Sequence, residues 1–272
     1  MITEDFHVHT TFSDGADSMA AVAEAACARG MTALGFTDHG YAPYDTACCM
    51  REDAVPAYLA ECRRLRDLYA GRMAIACGVE QDLFSTADTG AFDYVIGSVH
   101  YLYLAGEYLS VDWKPDSLYR AARLLGGDML RVAEEYFRLE ATVVERTGCD
   151  LIGHFDLVAK LNDRYRLFDE NDPRYIAAWR QAADALLATG VPFEINTGAI
   201  ARGYRQEPYP AAPILRYLRD RGAQLVLTSD SHSRNTLMYG FDRVERACAA
   251  DAIPLASGRR LLADGAGPCL NP

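Results

Sequence analysis

The chain has 272 residues, half of them apolar, with 27 Lys plus Arg against 38 Asp plus Glu and a formal net charge of −11. That acidic balance argues against broad contact with nucleic acid or an anionic membrane surface, and no apolar run approaches the ~18 residues of a membrane span. The start of the chain places Glu4 and Asp5 close behind Met1 and lacks the basic-then-apolar pattern of a signal peptide, so a cytoplasmic protein is expected. None of the eight cysteines lies in a Cys-x-x-Cys pair. Buried free thiols are expected rather than disulfides or a zinc ribbon.

The first strand is expected at Asp5–His9, inside the stretch DFHVHTTFSDG. Residues i and i+2 of a strand face the same side. His7 and His9 would stand together, a pairing that suits a divalent metal or a solvated strand face. Ser18 can cap and Gly30 can close a helix over Ser18–Arg29. A strand at Ala33–Asp38 leads to His39, and a helix at Arg51–Tyr69 leads to a strand, Met73–Glu80, that ends on Glu80. The fourth strand, Tyr94–His100, runs into a hairpin, Tyr101–Asp112, turning at Ala105-Gly106. A helix over Asp128–Thr147 precedes a strand at Leu151–His154. Asp172 and Pro173 open a helix over Arg174–Thr189. The sixth strand, Pro192–Asn196, carries Glu194 and Asn196. A helix at Pro213–Asp220 leads to Gln224–Thr228, which is followed by Asp230 and His232, and Tyr239–Ala250 is the last helix. Strands alternating with helices read as a parallel α/β protein, and 272 residues suit either two small domains or one barrel domain of about 250 residues spanning 1–272.

All six histidines follow a strand directly or within a few residues. In a parallel barrel the carboxyl ends of the strands share one mouth, where catalytic groups collect. His7, His9, His39, His100, His154 and His232 would converge there with Asp14, Asp38, Glu80 and Asp230. Neutral imidazoles and ionised carboxylates without thiolates suit zinc, iron or manganese. There are more donors than one tetrahedral ion uses, so two or three divalent metal ions are expected.

Seven ordered motifs cover nearly the whole chain: DFHVHTTFSDG, GFTDHG, GVEQDL, YVIGSVHY, LIGHFDLVAK, FEINTGAIARGY and LTSDSHS. In these the chain resembles the polymerase-and-histidinol-phosphatase (PHP) superfamily, and most of all its histidinol-phosphate phosphatase branch. The resemblance implies a distorted seven-stranded (β/α)7 barrel with a trinuclear metal site at the C-terminal ends of the strands. By position it implies a first metal on His7, His9, Glu80 and Asp230. Glu80 would bridge to a second on His100 and His154, and Asp14, His39 and His232 would hold a third. The implied enzyme is a phosphoric monoester hydrolase converting L-histidinol phosphate to L-histidinol and phosphate in L-histidine biosynthesis. A related phosphoesterase acting on another small phosphate ester or nucleotide is the alternative.

Residues for the chemistry follow from that reaction. Glu80 and Asp156 are the catalytic candidates, Glu80 as the bridge and Asp156 as a proton donor to the leaving group. Asp38, Asp156 and Ser98 are candidates for orienting the ligands. Arg202 matches a phosphate bidentately, with Lys160, Arg205 and Arg164 as further cations. Glu207 is a candidate for the substrate amine, and Tyr101, Tyr103 and Tyr204 for the pocket wall. No lysine ends a strand, which counts against an amidohydrolase-type barrel. Neither Ser98 nor Ser231 sits in a nucleophile elbow. The expected partner is a small phosphorylated substrate, with no nucleic acid and no membrane; assembly into a homo-oligomer is left open.

Overall fold

The computed structural model describes residues 1–262. In chain order the strands are β1 (Glu4–Asp5), β2 (Ala33–Phe36), β3 (Ala74–Asp82), β4 (Tyr94–Ser98), β5 (Tyr101–Leu104), β6 (Glu107–Ser110), β7 (Leu151–Ile152), β8 (Phe193–Asn196) and β9 (Leu225–Thr228). The helices are α1 (Met19–Ala28), α2 (Val55–Leu68), α3 (Pro115–Leu124), α4 (Met129–Glu140), α5 (Val143–Thr147), α6 (Asn162–Tyr165), α7 (Pro173–Leu187), α8 (Gly198–Ala201), α9 (Ala212–Asp220) and α10 (Phe241–Ala250). Seven strands form one parallel sheet in the order β1-β2-β3-β4-β7-β8-β9. The edges approach each other beyond β1. A bridge joins Val8 to Ser231, His9 N donates to Ser231 O at 2.8 Å and Ser231 N to His7 O at 3.2 Å. The result is a nearly closed, distorted seven-stranded barrel wrapped by helices.

Strands covered on both faces read as short apolar runs, and β2, β4, β8 and β9 are buried throughout. The barrel floor is packed by Phe6, Tyr94, Ile96, Leu151 and Val226. Tyr94 lies across Gly35 and Gly78. A Cβ on Gly78 would meet the Tyr94 ring at 2.5 Å, so only glycine admits the ring there. Tyr94 donates its hydroxyl to Phe6 O at 2.7 Å, which satisfies the one polar atom of that plug. Larger apolar clusters lie between sheet and helices.

Several boundaries differ from the sequence reading. The first strand is shorter than Asp5–His9, because the chain carrying His7 and His9 leaves regular pairing with β2 to meet Ser231. The single helix expected at Asp128–Thr147 is two, α4 and α5, divided where Thr142 Oγ1 donates to Leu139 O at 2.7 Å. Helix α3, with Pro115 in its first turn, was not expected, nor were the short α6 and α8. The hairpin pairs Leu104 with Glu107 across Ala105 and Gly106, both at positive φ, as a tight two-residue turn requires. Seven cysteines are free, and four of them are buried; Cys269 lies outside the described residues.

Candidate metal centre

Each strand delivers its donors to the same end of the barrel. The His7–His9 segment follows β1, His39 follows β2, Glu80 lies in β3, His100 follows β4, His154 follows β7, and Asp230 and His232 follow β9. They line or underlie a cavity of about 620 Å³. Glu80 sits at the centre, 1 % exposed. Its Oε2 lies 3.3 Å from His7 Nε2, 3.4 Å from His9 Nε2 and 2.9 Å from His39 Nδ1. Its Oε1 lies 2.8 Å from His154 Nε2 and 3.4 Å from His100 Nε2, and accepts from Ser98 Oγ at 2.6 Å. Asp230 Oδ1 stands 3.3 Å from His9 Nε2, and Asp14 Oδ2 stands 3.2 Å from His232 Nε2.

Buried polar atoms are ordinarily hydrogen-bonded. Here His7 Nε2, both ring nitrogens of His9, and Glu80 Oε2 are buried without a hydrogen-bond partner. All are lone-pair donors of the kind that bind divalent ions. Three overlapping groups hold their donor atoms within 4.8 Å of one another: His9, Asp14, His39 and His232; His7, His9 and Asp230; His39, Glu80 and His100. The residues therefore fit divalent metal. The first group contains Asp14, His39 and His232 and the second is His7, His9 and Asp230, while His39 also stands beside Glu80 and His100.

The electrostatics describe a cage of negative charge. Burial opposes ionisation of Glu80, but His39, His7 and His100 outweigh it and hold the carboxyl well below its usual range. Burial and the neighbouring His232 and His39 push His9 down to about 3, so it is neutral and ready to donate a lone pair. His39 goes the other way: burial disfavours its charge, yet Glu80 and Asp14 raise it to about 9.

Two carboxylates fix the imidazoles: Glu194, which the sequence reading placed on the sixth strand without a role, and Asp82, which it did not name. Glu194 Oε1 accepts from His7 Nδ1 at 2.5 Å and from the Thr228 hydroxyl at 2.5 Å, and its Oε2 accepts from His154 N at 2.7 Å and Asn196 Nδ2 at 3.0 Å. Asp82 accepts from His100 N at 2.9 Å and lies 3.4 Å from His100 Nδ1. A carboxylate that accepts from one ring nitrogen turns the other toward a metal. The same alternation that paired His7 with His9 marks both: Asp82 is two residues from Glu80, and Glu194 is two from Asn196.

The remaining candidates separate. Arg202, Lys160, Tyr101 and Tyr204 line the cavity. Arg202 donates to Asp230 Oδ2 and approaches His232 Nδ1, both at 2.8 Å. Lys160 pairs with Asp112 at 2.8 Å, and Tyr101 donates to Asp45 at 2.6 Å. Arg205 and Glu207 instead line a different cavity, because the loop after α8 turns Arg205 inward to Glu170 and the Ala159 carbonyl. Tyr103 points away on the hairpin and is exposed. Asp156 is wholly buried behind the site, accepts from Ala211 N at 3.0 Å, and does not line the cavity, so it is not placed to protonate a leaving group. Asp38 does not orient His39; it accepts from the Thr10 and Ser13 amides and hydroxyls instead, pinning the turn that carries Asp14.

Comparison with known proteins agrees with this geometry. The PHP domain family matches residues 5–198. A Deinococcus radiodurans protein named "Probable histidinol-phosphatase" is 31% identical over 251 residues, 87% of this chain and 89% of the relative. The Bacillus subtilis histidinol-phosphatase is 24% identical over 274 residues, 91% of this chain and all of the relative. Among solved structures, the Lactococcus lactis histidinol phosphate phosphatase complexed with zinc, L-histidinol and phosphate superposes with a TM-score of 0.70 at 20% identity, covering 94% of this chain and 95% of that one.

Proposed function

The chain belongs to the PHP domain family, and from that premise we propose that it is a metal-dependent histidinol-phosphatase, hydrolysing L-histidinol phosphate to L-histidinol and phosphate in L-histidine biosynthesis in the cytoplasm. The observation that carries the chemistry is the convergence of five imidazoles on the two oxygens of Glu80. The names of the relatives supply the substrate.

Two or three divalent ions of zinc, iron or manganese would be held by His7, His9, Asp14, His39, Glu80, His100, His154, Asp230 and His232. When bound, they neutralise phosphoryl oxygens and bring the pKa of a water toward about 7. The chain's own residues supply the rest. Glu80, with Ser98 donating to Oε1, offers one carboxylate oxygen to each half of the ligand set. Glu194 and Asp82 hold the rings of His7 and His100 in the tautomer that leaves Nε2 free. Arg202 is assigned to the phosphate, since its planar fork stands beside the ligand cluster and matches two phosphoryl oxygens. Lys160 adds a second positive charge on the same wall, and Tyr101 and Tyr204 enclose the organic part of the substrate. No side chain has to form a covalent bond to phosphorus.

The test is phosphate release from L-histidinol phosphate by protein stripped with chelator and re-supplied in turn with manganese, zinc and iron. Turnover should vanish on chelation and return with at least one ion. Glu80→Gln should abolish it and weaken two metals together. Metal-replete protein that releases no phosphate, or turns over many unrelated phosphomonoesters equally well, would overturn the assignment.

A further inference from the structure

A second cavity, of about 440 Å³, opens between α6, α7 and the loop after α8. Its charge is lopsided. Asp163, Asp169, Glu170 and Glu207 line it, against the single guanidinium of Arg205. Arg205 is committed to Glu170, with Nη1 and Nη2 each 3.0 Å from a carboxylate oxygen. Among the described residues, Asp169 and Glu207 have no ion-pair partner. Apolar rings share the lining, with Phe168 and Tyr175 stacked at 5.2 Å and Trp179 one turn further along α7. Two buried polar groups there are unanswered. Tyr175 is 2 % exposed with an unpartnered hydroxyl, and Arg205 is 6 % exposed with an unpartnered Nε. A buried polar atom without a partner calls for one, and on a cavity wall there is room for a ligand to supply it.

The two cavities share their walls in sequence. One stretch carries Lys160 into the metal cavity and Asn162 and Asp163 into the second. Another carries Arg202 into the first and Arg205 and Glu207 into the second. Arg205 also donates to Ala159 O at 2.7 Å, the carbonyl next to Lys160. A cation that competes with Arg205 for Glu170 bears on the Ala159 carbonyl, and so on the backbone beside Lys160.

We propose that this cavity is a second, non-catalytic site for a small organic cation carrying an ammonium group and a flat ring, and that its occupation weakens substrate binding at the metal cavity. Glu170, with Asp169 and Glu207 beside it, takes the ammonium in place of Arg205, and Phe168, backed by the buried Tyr175 and Trp179, takes the ring. The coupling runs through Arg205 to Ala159 and Lys160.

L-histidinol is the probe, because it has both parts. Calorimetric titration of the metal-loaded protein should give two L-histidinol sites per chain. The double variant Asp169→Asn with Glu207→Gln, both exposed positions, should give one site while keeping kcat. Methylamine, which has the charge without the ring, should bind the second site at least about tenfold more weakly. In the wild type, L-histidinol should raise the apparent KM by at least about fivefold beyond the rise in the double variant. One site in both proteins, two in both, equal methylamine binding, or identical KM responses would each overturn the proposal. Stoichiometry is read without turnover, so failure of the phosphatase assignment leaves this result interpretable, and full phosphatase activity with a single site sinks only the second cavity.

Discussion

Replacing Glu194 by Gln removes one oxygen of a group that touches no substrate, and it should still cripple the metal site. Both oxygens of Glu194 face donors: His7 Nδ1 and the Thr228 hydroxyl at Oε1, His154 N and Asn196 Nδ2 at Oε2. A glutamine has one oxygen and one NH₂. If the NH₂ faces the Oε2 side, it opposes the backbone N–H of His154, which cannot turn away, and a buried donor is left unpaired at a cost of about 1–3 kcal/mol. If it faces the Oε1 side, His7 can relieve the clash only by moving its proton from Nδ1 to Nε2. That proton then occupies the atom 3.3 Å from Glu80 Oε2, and the ring no longer offers a lone pair to a metal. Loss of such an orienting partner typically costs about 10–100-fold in metal affinity or activity. The assay is metal content per chain after dialysis against graded chelator, with phosphate release measured on the same samples. The variant should lose at least one metal at chelator levels the wild type survives. Wild-type metal content and kcat within about twofold would refute the argument that Glu194 sets the His7 tautomer.

Three further outcomes are expected. Glu140 is completely buried with neither oxygen in hydrogen-bond geometry, and burial raises its pKa well above the ordinary glutamate range. The folded state then keeps a proton that the unfolded chain releases, so stability falls as pH rises above that range, by up to ~1.4 kcal/mol per pH unit from this one group. Urea midpoints at pH 5 and pH 8 should converge in Glu140→Gln, and an unchanged difference would count against the buried carboxyl. Arg205→Gln should cost about 1–3 kcal/mol of stability by stranding Glu170 and the Ala159 carbonyl, with kcat at saturating substrate kept. By contrast Arg202→Gln should lower kcat/KM at least about a hundredfold, so equal kinetic losses in the two variants would contradict their separation into different cavities. Finally, His39 is raised to about 9, and Glu80 among other carboxylates also raises His7 and His100. Metal uptake at pH 7 must displace those protons, and apparent affinity should climb between pH 6 and pH 9. Titrations in two buffers of different ionisation enthalpy should report at least about one proton released per chain, and identical heats would refute it.

How far the site could be read in advance depended on whether a residue sits on a strand or in a loop. The histidines were legible because a parallel strand has a fixed direction and a fixed alternation, so a polar residue at its carboxyl end has one place to point. Glu194 and Asp82 obey the same rule, but a sequence does not say which carboxylate faces which ring, and the orienting role was expected of Asp38, Asp156 and Ser98 instead. Loops carry no such rule. Arg202 and Arg205 are three residues apart in one turn, yet the first reaches Asp230 and the second turns back to Glu170. Asp38 adjoins His39 in sequence, but adjacent residues at a strand end point apart, and Asp38 serves Thr10 and Ser13 instead. His154, at Glu80, and Asp156, buried against the Ala211 amide, are two residues apart and would share a face in a strand, but β7 ends at Ile152 and the chain turns between them. The proposed metal ligands are therefore set by strand ends, whereas the proposed substrate contacts lie on loops whose course is set by packing. That division predicts where relatives of this chain should vary: a change of substrate calls for new residues at positions such as Tyr101, Lys160, Arg202 and Tyr204, and leaves the alternation around Glu80 and Glu194 untouched.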